Sequence, residues 1–541
     1  MHPEILQICK YEEFHLSLRG IKNKDMKAGN LISFERAMKS LLLLLLSVVF
    51  YNCTEDNKKF DFTSYFADTV CSELKEGITL DEINDISNTF FKNLALDIYH
   101  GNYDKAFRAQ EYRQYQHPKV MAGLNKTNLY SLLDNPTGIF VKKGETFTVI
   151  ADLKGADITI CSVDLSLAIL KQTELFIHVK DGVNNYKAKK DGLLYVIYHT
   201  KSKTGTQDNI LLNIIGGTVN GYFDSQKHTQ DDWPRILNKA TYRDFDVLGK
   251  YAHLTFPTAS FKANTPDGKA LINKYDELVY LEQDFMGLVK YDKMFQNRMH
   301  FFVDYVTGYY MHSRNFGTGY TVRTMDMMTT LSEFQKDVWG PAHEVGHSNQ
   351  TRPGMKWSGM TEVTCNIHSL HVQTSFGNTA RLITDKYYDY AFSHYVNKNI
   401  AHISINYPPE SGVFFQLIPF WQLKLYLVDA LGKDDFYKDL YELYRTTTFS
   451  RSGSSSVNGF YQLQFVENVC KVANLDLTDF FRSWGFLTPV DKKQNLFNRL
   501  MVTQADIDII INRIAAQNYP KPLHNNIYDI HDNNVSRFKP E

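Results

Sequence analysis

His343, Glu344 and His347 stand in the order H-E-x-x-H within WGPAHEVGHSNQTRPGMKWSGMTEVTCN, residues 339–366. On an α-helix, side chains at i and i+4 lie on one face a turn apart, so both imidazoles can reach one ion. Imidazole suits Zn²⁺, and a catalytic zinc takes three protein ligands and keeps a position for water. Glu344 follows the first histidine directly. It would lean beside such an ion, where a carboxylate can take a proton from bound water. The chemistry this spacing points to is metal-assisted hydrolysis. The plain alternative is a surface helix that happens to carry two histidines.

The pattern needs a third ligand. Glu362 is the natural candidate, separated from His347 by the 14 residues 348–361. Pro353, Gly354 and Gly359 let the chain turn back within that gap. TEVTCNIHSLHVQTSF then reads as a second helix with Glu362 near its start. Asn366, one turn beyond Glu362, is placed to orient a ligand. His368 and His371 fall about 120° or more around the helix from Glu362 and read as packing or surface residues. Gly346 has little bulk and would let another element pack close to the metal. Tyr320, in GTGY ahead of the motif, is a candidate donor to the oxyanion of a tetrahedral intermediate. A packing role is the plainer reading of one tyrosine among 33.

The elements that must hold these residues are legible in part. Gly340-Pro341 can start the motif helix, since proline is tolerated at the first helical position. Residues 60–130 read as helical, with apolar residues at three- and four-residue spacing. From about 137 the period changes to two. TGIFVKKGETFTVIADL puts Phe147, Val149, Ala151 and Leu153 on one face, and DGLLYVIYHT and NILLNIIGG are further strand-like runs, so 137–222 reads as a β-sandwich. Thr265-Pro266 is expected to open a helix whose apolar face carries Leu271, Tyr275, Leu278, Leu281 and Phe285. MHFFVDYVTGYY and NFGTGYTV read as strands. Beyond 376 the chain is mostly helical, with Thr478 as an expected N-cap and Thr503 with Asp506 opening a last helix. SRSGSSS at 450–456 reads as a flexible loop.

The whole chain bounds the function class. Its 541 residues are too many for one simple core. Hydrophobic content of 43% with 22% charged residues is that of a folded protein, and a formal net charge of −1 argues against nucleic acid as partner. The six cysteines contain no CxxC pair, which argues against a cysteine-rich zinc site. Near the N-terminus, Met38-Lys39-Ser40, the run Leu41 to Leu46 and SVVFYNC resemble a bacterial lipoprotein signal ending at Cys53, the residue that would carry lipid. Residues 1–37 then read as an upstream extension. The polar TEDNKK after Cys53 would serve as a tether. The expected location is the bacterial cell envelope as an outer-surface lipoprotein, with ordinary secretion as the alternative.

WGPAHEVGHSNQ followed by WSGMTEVTCNIHSL resembles the enhancin-like zinc metallopeptidases, peptidase family sixty, which are of gluzincin type. TGIFVKKGE, PFWQLKLYL, DFYKDLYELYR and FFRSWGF extend the resemblance over about 137–490. It implies zinc held by His343, His347 and Glu362, Glu344 as base, and extracellular action on O-glycosylated host proteins such as mucins. Pro341 and Cys365 depart from the expected pattern, and no separate carbohydrate-binding module is legible. The expectation is therefore an α+β multidomain protein. It comprises a lipoprotein-type signal at 38–53, a helical region at 54–136, the sandwich at 137–222, a metallopeptidase domain with a mostly helical C-terminal part at 223–490, and a helix and tail at 491–541. It would act as a monomer and touch the membrane through its lipid only. The competing reading is a surface glycan-binding lipoprotein whose catalysis has lapsed, against which the intact Glu344 argues. A gluzincin aminopeptidase is disfavoured by the lack of a G-x-M-E-N motif.

Overall fold

The computed structural model describes residues 61–202, 207–406, 411–449, 454–493 and 498–540. The signal segment and Cys53 lie outside them, as do 450–453 of the serine-rich stretch. Residues 61–64, with a short turn at Phe62–Ser64, group with the N-terminal segment; Tyr65–Glu541 form one compact unit.

Within that unit the two-residue period at 137–222 becomes two facing sheets. One has four strands, in the order Ala109–Tyr112, Ile210–Ile215, Thr146–Asp152, Gly182–Lys187. The other has five, in the order Thr218–Val219, Pro136–Val141, Gly192–Ile197, Thr159–Val163, Thr173–His178. Phe147, Val149, Ala151 and Leu153 share one core with Ile139, Val141, Ile160, Leu194 and Val196 across the sandwich. The intervening residues Phe140, Cys161, Val163, Leu193 and Tyr195 point the other way, into the main core. Strand alternation thus leaves the inner strands of the five-stranded sheet, Pro136–Val141, Gly192–Ile197 and Thr159–Val163, buried on both faces. This shared packing joins the sandwich to the rest within one compact unit. Strand Ala109–Tyr112 falls in the region read as helical. It is a short edge strand with only Tyr112 buried, so it has no alternation to read.

The third layer is a mixed six-stranded sheet: β1 Phe223–Asp224, β2 Asp244–Leu248, β3 Ala252–Pro257, β4 Met299–Asp304, β5 Met311–Arg314 and β6 Gly317–Thr321, in spatial order β1-β2-β3-β4-β6-β5. Tyr195 of the sandwich ties it down by donating its hydroxyl to the Asp246 carboxylate on β2 at 3.0 Å. β3 and β4 are parallel, joined through helix α1, Gly268–Phe285. Leu271, Tyr275, Leu278 and Phe285 are buried as the spacing requires. The helix opens later than Thr265-Pro266, however. Asp267 is the N-cap and accepts the Ala270 N–H at 2.8 Å, while Thr265 donates its hydroxyl to Thr329 O. The carboxylate three residues before Ala270 outcompetes the threonine.

Helices dominate the remainder. Thr478 is the first residue of its helix rather than the cap. Ser454 caps Ser455–Ala473 by accepting the Val457 N–H, so the end of the serine-rich stretch is helical rather than loop. Thr503 and Asp506 form the reciprocal cap that their spacing suggests. Cys71, Cys161, Cys365 and Cys470 are all buried and free. Among the described residues no helix is long and apolar enough to cross a membrane.

Candidate metal centre

The motif lies on helix α2, Trp339–Asn349, and Glu362 is the second residue of helix α3, Thr361–Ser375. Two glycines set how closely α2 packs. A Cβ on Gly346 would lie 2.6 Å from the Cys365 carbonyl oxygen of α3, and one on Gly340 would lie 2.6 Å from Met311 Sδ on β5. The far end of α2 is fastened by polar contacts. Ser348 O accepts the Asn128 N–H at 2.9 Å. Tyr130 donates to Asn349 Oδ1 at 2.8 Å, and Asn349 Nδ2 donates to the buried Glu282 of α1 at 2.8 Å. Burial holds the Glu282 carboxyl well above its ordinary range.

This packing brings the three expected ligands together. Glu362 Oε2 is 3.3 Å from His343 Nε2 and 3.2 Å from His347 Nε2. Each ring is oriented from behind. His343 Nδ1 donates to Asn366 Oδ1 at 2.7 Å, and His347 Nδ1 donates to Gln350 Oε1 at 3.3 Å. Asn366 is itself held by donating to Glu362 O at 2.8 Å, and Gln350 by donating to Thr361 O and Thr364 Oγ1, both at 2.8 Å. With both Nδ1 atoms acting as donors, both Nε2 atoms are left facing the Glu362 carboxylate, as N–H donors without an ion and as ligand atoms with one.

The donor set fits zinc. Ligands about 2.0–2.1 Å from a tetrahedral ion stand about 3.3–3.4 Å apart, close to the two Nε2–Oε2 separations seen here. The electrostatics agree. Burial works against charge on the imidazoles, but Cys365, Glu362 and, for His343, Glu344 outweigh it, pushing His343 up to about 12 and His347 up to about 10. The hydrogen bonds of His343 and His347 in turn hold the Glu362 carboxyl well below its usual range. The carboxylate and the thiol thus set both rings in a negative surrounding, which suits a cation.

Cys365 joins this cluster unexpectedly, its donor atom lying within 4.8 Å of the others. Its sulfur is 3.6 Å from His343 Nδ1, behind the ring rather than at the Nε2 convergence, so it lies outside the three-ligand set. Burial opposes its ionisation, yet His343 and His347 draw the thiol down to about 7. Gln350 also escaped the sequence reading. Its place three residues after His347, one helical turn on, is the signal that could have found it. His368 and His371 point elsewhere, His368 to Tyr441 at 2.9 Å and His371 against Phe285.

Glu344 is 7% exposed and lies, with His343, Trp339, Tyr310 and Arg381, along a cleft of about 680 Å³. Burial raises its carboxyl, His343 and His347 offset part of the rise, and Glu362 adds to it. A carboxylate beside the two imidazoles is placed to exchange a proton with a water held there. Tyr320 is not in that position. Its ring is fully buried beside Phe256 and Phe301, and its hydroxyl donates to Thr318 Oγ1 at 3.0 Å. Strand alternation on β6 turns it inward, so the oxyanion role expected for it is withdrawn.

Residues 216–485 match the family described as peptidase M60, enhancin and enhancin-like. The chain belongs to that family. A metallopeptidase from Bacteroides thetaiotaomicron is similar to this M60 member in structure, with a TM-score of 0.75 and 26% identity over 89% of this chain and 83% of that one. A metallopeptidase in complex with Tn antigen has a TM-score of 0.70 and 26% identity over 80% of this chain and 81% of that one. TRPM8 channel-associated factor 3 of Rattus norvegicus is 24% identical over 303 residues, which are 54% of this chain and 30% of that protein. The M60 member thus spans less than a third of that curated relative. The family implies a metal, and the cluster on α2 and α3 is where this chain offers ligands for one.

Proposed function

We propose that this protein is a zinc metalloendopeptidase that hydrolyses peptide bonds in O-glycosylated, mucin-like proteins. The observation that carries the reading is the meeting of His343 Nε2, His347 Nε2 and Glu362 Oε2 with Glu344 alongside in an open cleft. A zinc ion on His343, His347 and Glu362 would supply Lewis acidity to a peptide carbonyl and to a water. Glu344 takes the proton of the attacking water as the new C–O bond forms, and then passes it to the nitrogen, so that the C–N bond breaks and the amine leaves.

Two features of the cleft support a glycosylated polypeptide as substrate. β5 is the outer strand of its sheet and borders the cleft through Met311, so an extended chain can add to its free edge by main-chain hydrogen bonds. The adjoining wall carries Trp339, Arg381 and Asp385, with the Arg381 guanidinium 5.1 Å from the Trp339 ring and 3.1 Å from Asp385. An aromatic face beside a fixed cation and a carboxylate suits a sugar, which presents an apolar face and paired hydroxyls. The Tn antigen complex of a structural relative supports the same substrate class.

We place the protein at the bacterial cell surface, held by lipid on Cys53 and acting as a monomer; the 38–53 segment supports this location. The test of the substrate class is mass spectrometry of products from an O-glycosylated peptide and from its deglycosylated twin. Cleavage of the glycosylated form is expected. Binding without cleavage would favour a lapsed glycan-binding protein instead.

A further inference from the structure

Strand β5 closes the third-layer sheet at its outer edge, and its two faces look onto different surroundings. Ser313 meets Ser348 of α2 at 2.8 Å, hydroxyl to hydroxyl, and Met311 lies against Gly340 of the same helix. Alternation turns His312 to the opposite face, where its ring lies 5.9 Å from that of Phe302. The segment 305–310 leads into β5 and is fastened along its length. Tyr305 donates its hydroxyl to Asp244 Oδ1 at 2.6 Å. Asp304 accepts the N–H groups of Val306 and Thr307 at 2.8 and 3.0 Å, and the Thr307 hydroxyl. Thr307 Oγ1 accepts the Tyr309 N–H at 3.3 Å, and Tyr310 O accepts the Thr321 N–H at 3.2 Å.

This fixed backbone presents two large aromatic side chains to solvent. Tyr309 is 67% exposed and Tyr310 64%. Val306 of the same segment and Val322, just after β6, are exposed as well. The two rings lie on different sides of the β5 edge. Tyr310 lines the catalytic cleft with Met311, His343 and Glu344, whereas the Tyr309 ring lies 6.2 Å from that of His312 on the opposite face. Rings carried on an already ordered backbone have little entropy left to lose when they meet a ligand. Contiguous apolar surface of this kind, continuous with a cleft, marks an interaction site.

A polypeptide added to the β5 edge is pleated, so its successive side chains point to alternate faces. One of them then meets Tyr310 and the next meets Tyr309. Asp304, the one carboxylate of residues 304–310, is taken up by its own turn. The pair thus offers ring and methyl surface rather than the paired polar groups that suit a sugar. We propose that Tyr309 and Tyr310 clamp the substrate chain from its two sides and select apolar residues at two adjacent positions. This rests on the reading of the β5 edge as the place where the substrate polypeptide lies.

The test is the affinity of the zinc-loaded Glu344→Gln chain for synthetic O-glycosylated peptides of one sequence, in which each residue flanking the glycosylated threonine is in turn leucine or glycine. Leucine should be favoured over glycine about tenfold at two adjacent positions. Adding Tyr310→Ala should abolish the preference at one of them, and adding Tyr309→Ala should abolish it at the neighbouring one. Tyr310→Phe and Tyr309→Phe should keep both, because the ring and not the hydroxyl makes the contact. The leucine-to-glycine ratio does not change if a variant is merely less well folded. Peptides that fail to bind, no preference at any two adjacent positions, a preference that the alanine variants leave intact, or one that the phenylalanine variants also lose would each overturn the proposal. The same preference in a wild-type chain that cleaves none of the peptides would overturn the peptidase reading and leave the clamp standing.

Discussion

His343 and Asn366 lie on different helices and meet through a 2.7 Å hydrogen bond from Nδ1 to Oδ1. Because an amide oxygen can only accept, this contact puts the ring proton on Nδ1 and leaves Nε2 as the atom that faces Glu362. Removing such a partner typically costs a metal site about 10–100-fold in affinity. Asn366→Ala should therefore weaken zinc binding by about that factor in a chelator competition. Affinity equal to wild type would show that the amide has no part in orienting the ring.

The contact between α2 and α3 depends on Gly346 in the same way. An alanine there places its Cβ 2.6 Å from the Cys365 carbonyl oxygen, a backbone atom that cannot swing aside. Forcing such an insertion typically costs about 1–3 kcal/mol. Gly346→Ala should lower the thermal midpoint and the zinc content together. Gly123→Ala is the control: it is helical and exposed, with nothing within 4 Å of a new Cβ, and should be neutral or stabilising by about 0.4–1 kcal/mol.

Zinc binding should strengthen as pH rises. The imidazoles of His343 and His347 are pushed up to about 12 and about 10 without an ion, so below those values an incoming cation must displace their protons. Both pKa values are raised. Proton activity rises as pH falls, so the protons compete with the ion most strongly on the acid side. Calorimetry at roughly pH 6 and pH 8 in buffers of different ionisation enthalpy should show proton release on binding and the higher affinity at the higher pH. Binding with no proton release, or affinity that falls toward pH 8, would contradict this electrostatic picture.

The anchor prediction concerns Cys53. A chain lipidated there should fractionate with membranes, and Cys53→Ala should move it to the soluble fraction. A mature protein whose N-terminus lies elsewhere would remove the anchor from the account.

Much of this site was legible because helices and strands impose simple periods. The four-residue step from His343 to His347 fixes a shared face whatever surrounds it, and the alternation of Phe147, Val149, Ala151 and Leu153 fixes the sandwich core. What stayed hidden depends on packing between distant segments. Nothing local to Cys365 says that its sulfur will lie behind His343, and nothing local to Asn349 says that Tyr130 and Glu282 will meet it. Tyr320 shows the opposite hazard: a tyrosine near a motif in sequence is turned into the core by the register of β6. Thr265 lost its helix to Asp267 because a cap is chosen by competition among neighbouring side chains, which a propensity ranking does not settle.

The central claim is that Glu344 is the proton carrier of a metal-dependent peptide hydrolysis. Glu344→Gln keeps the size of the side chain and cannot act as a base. It lies beside the ligand cluster of His343, His347 and Glu362 without belonging to it, so the substitution should leave zinc content unchanged. The decisive measurement is the rate at which wild type and Glu344→Gln, loaded with equal zinc, cleave one O-glycosylated peptide. The account predicts a fall in turnover of about 10²–10⁴ with the glycopeptide still bound; cleavage by Glu344→Gln at the wild-type rate would contradict it.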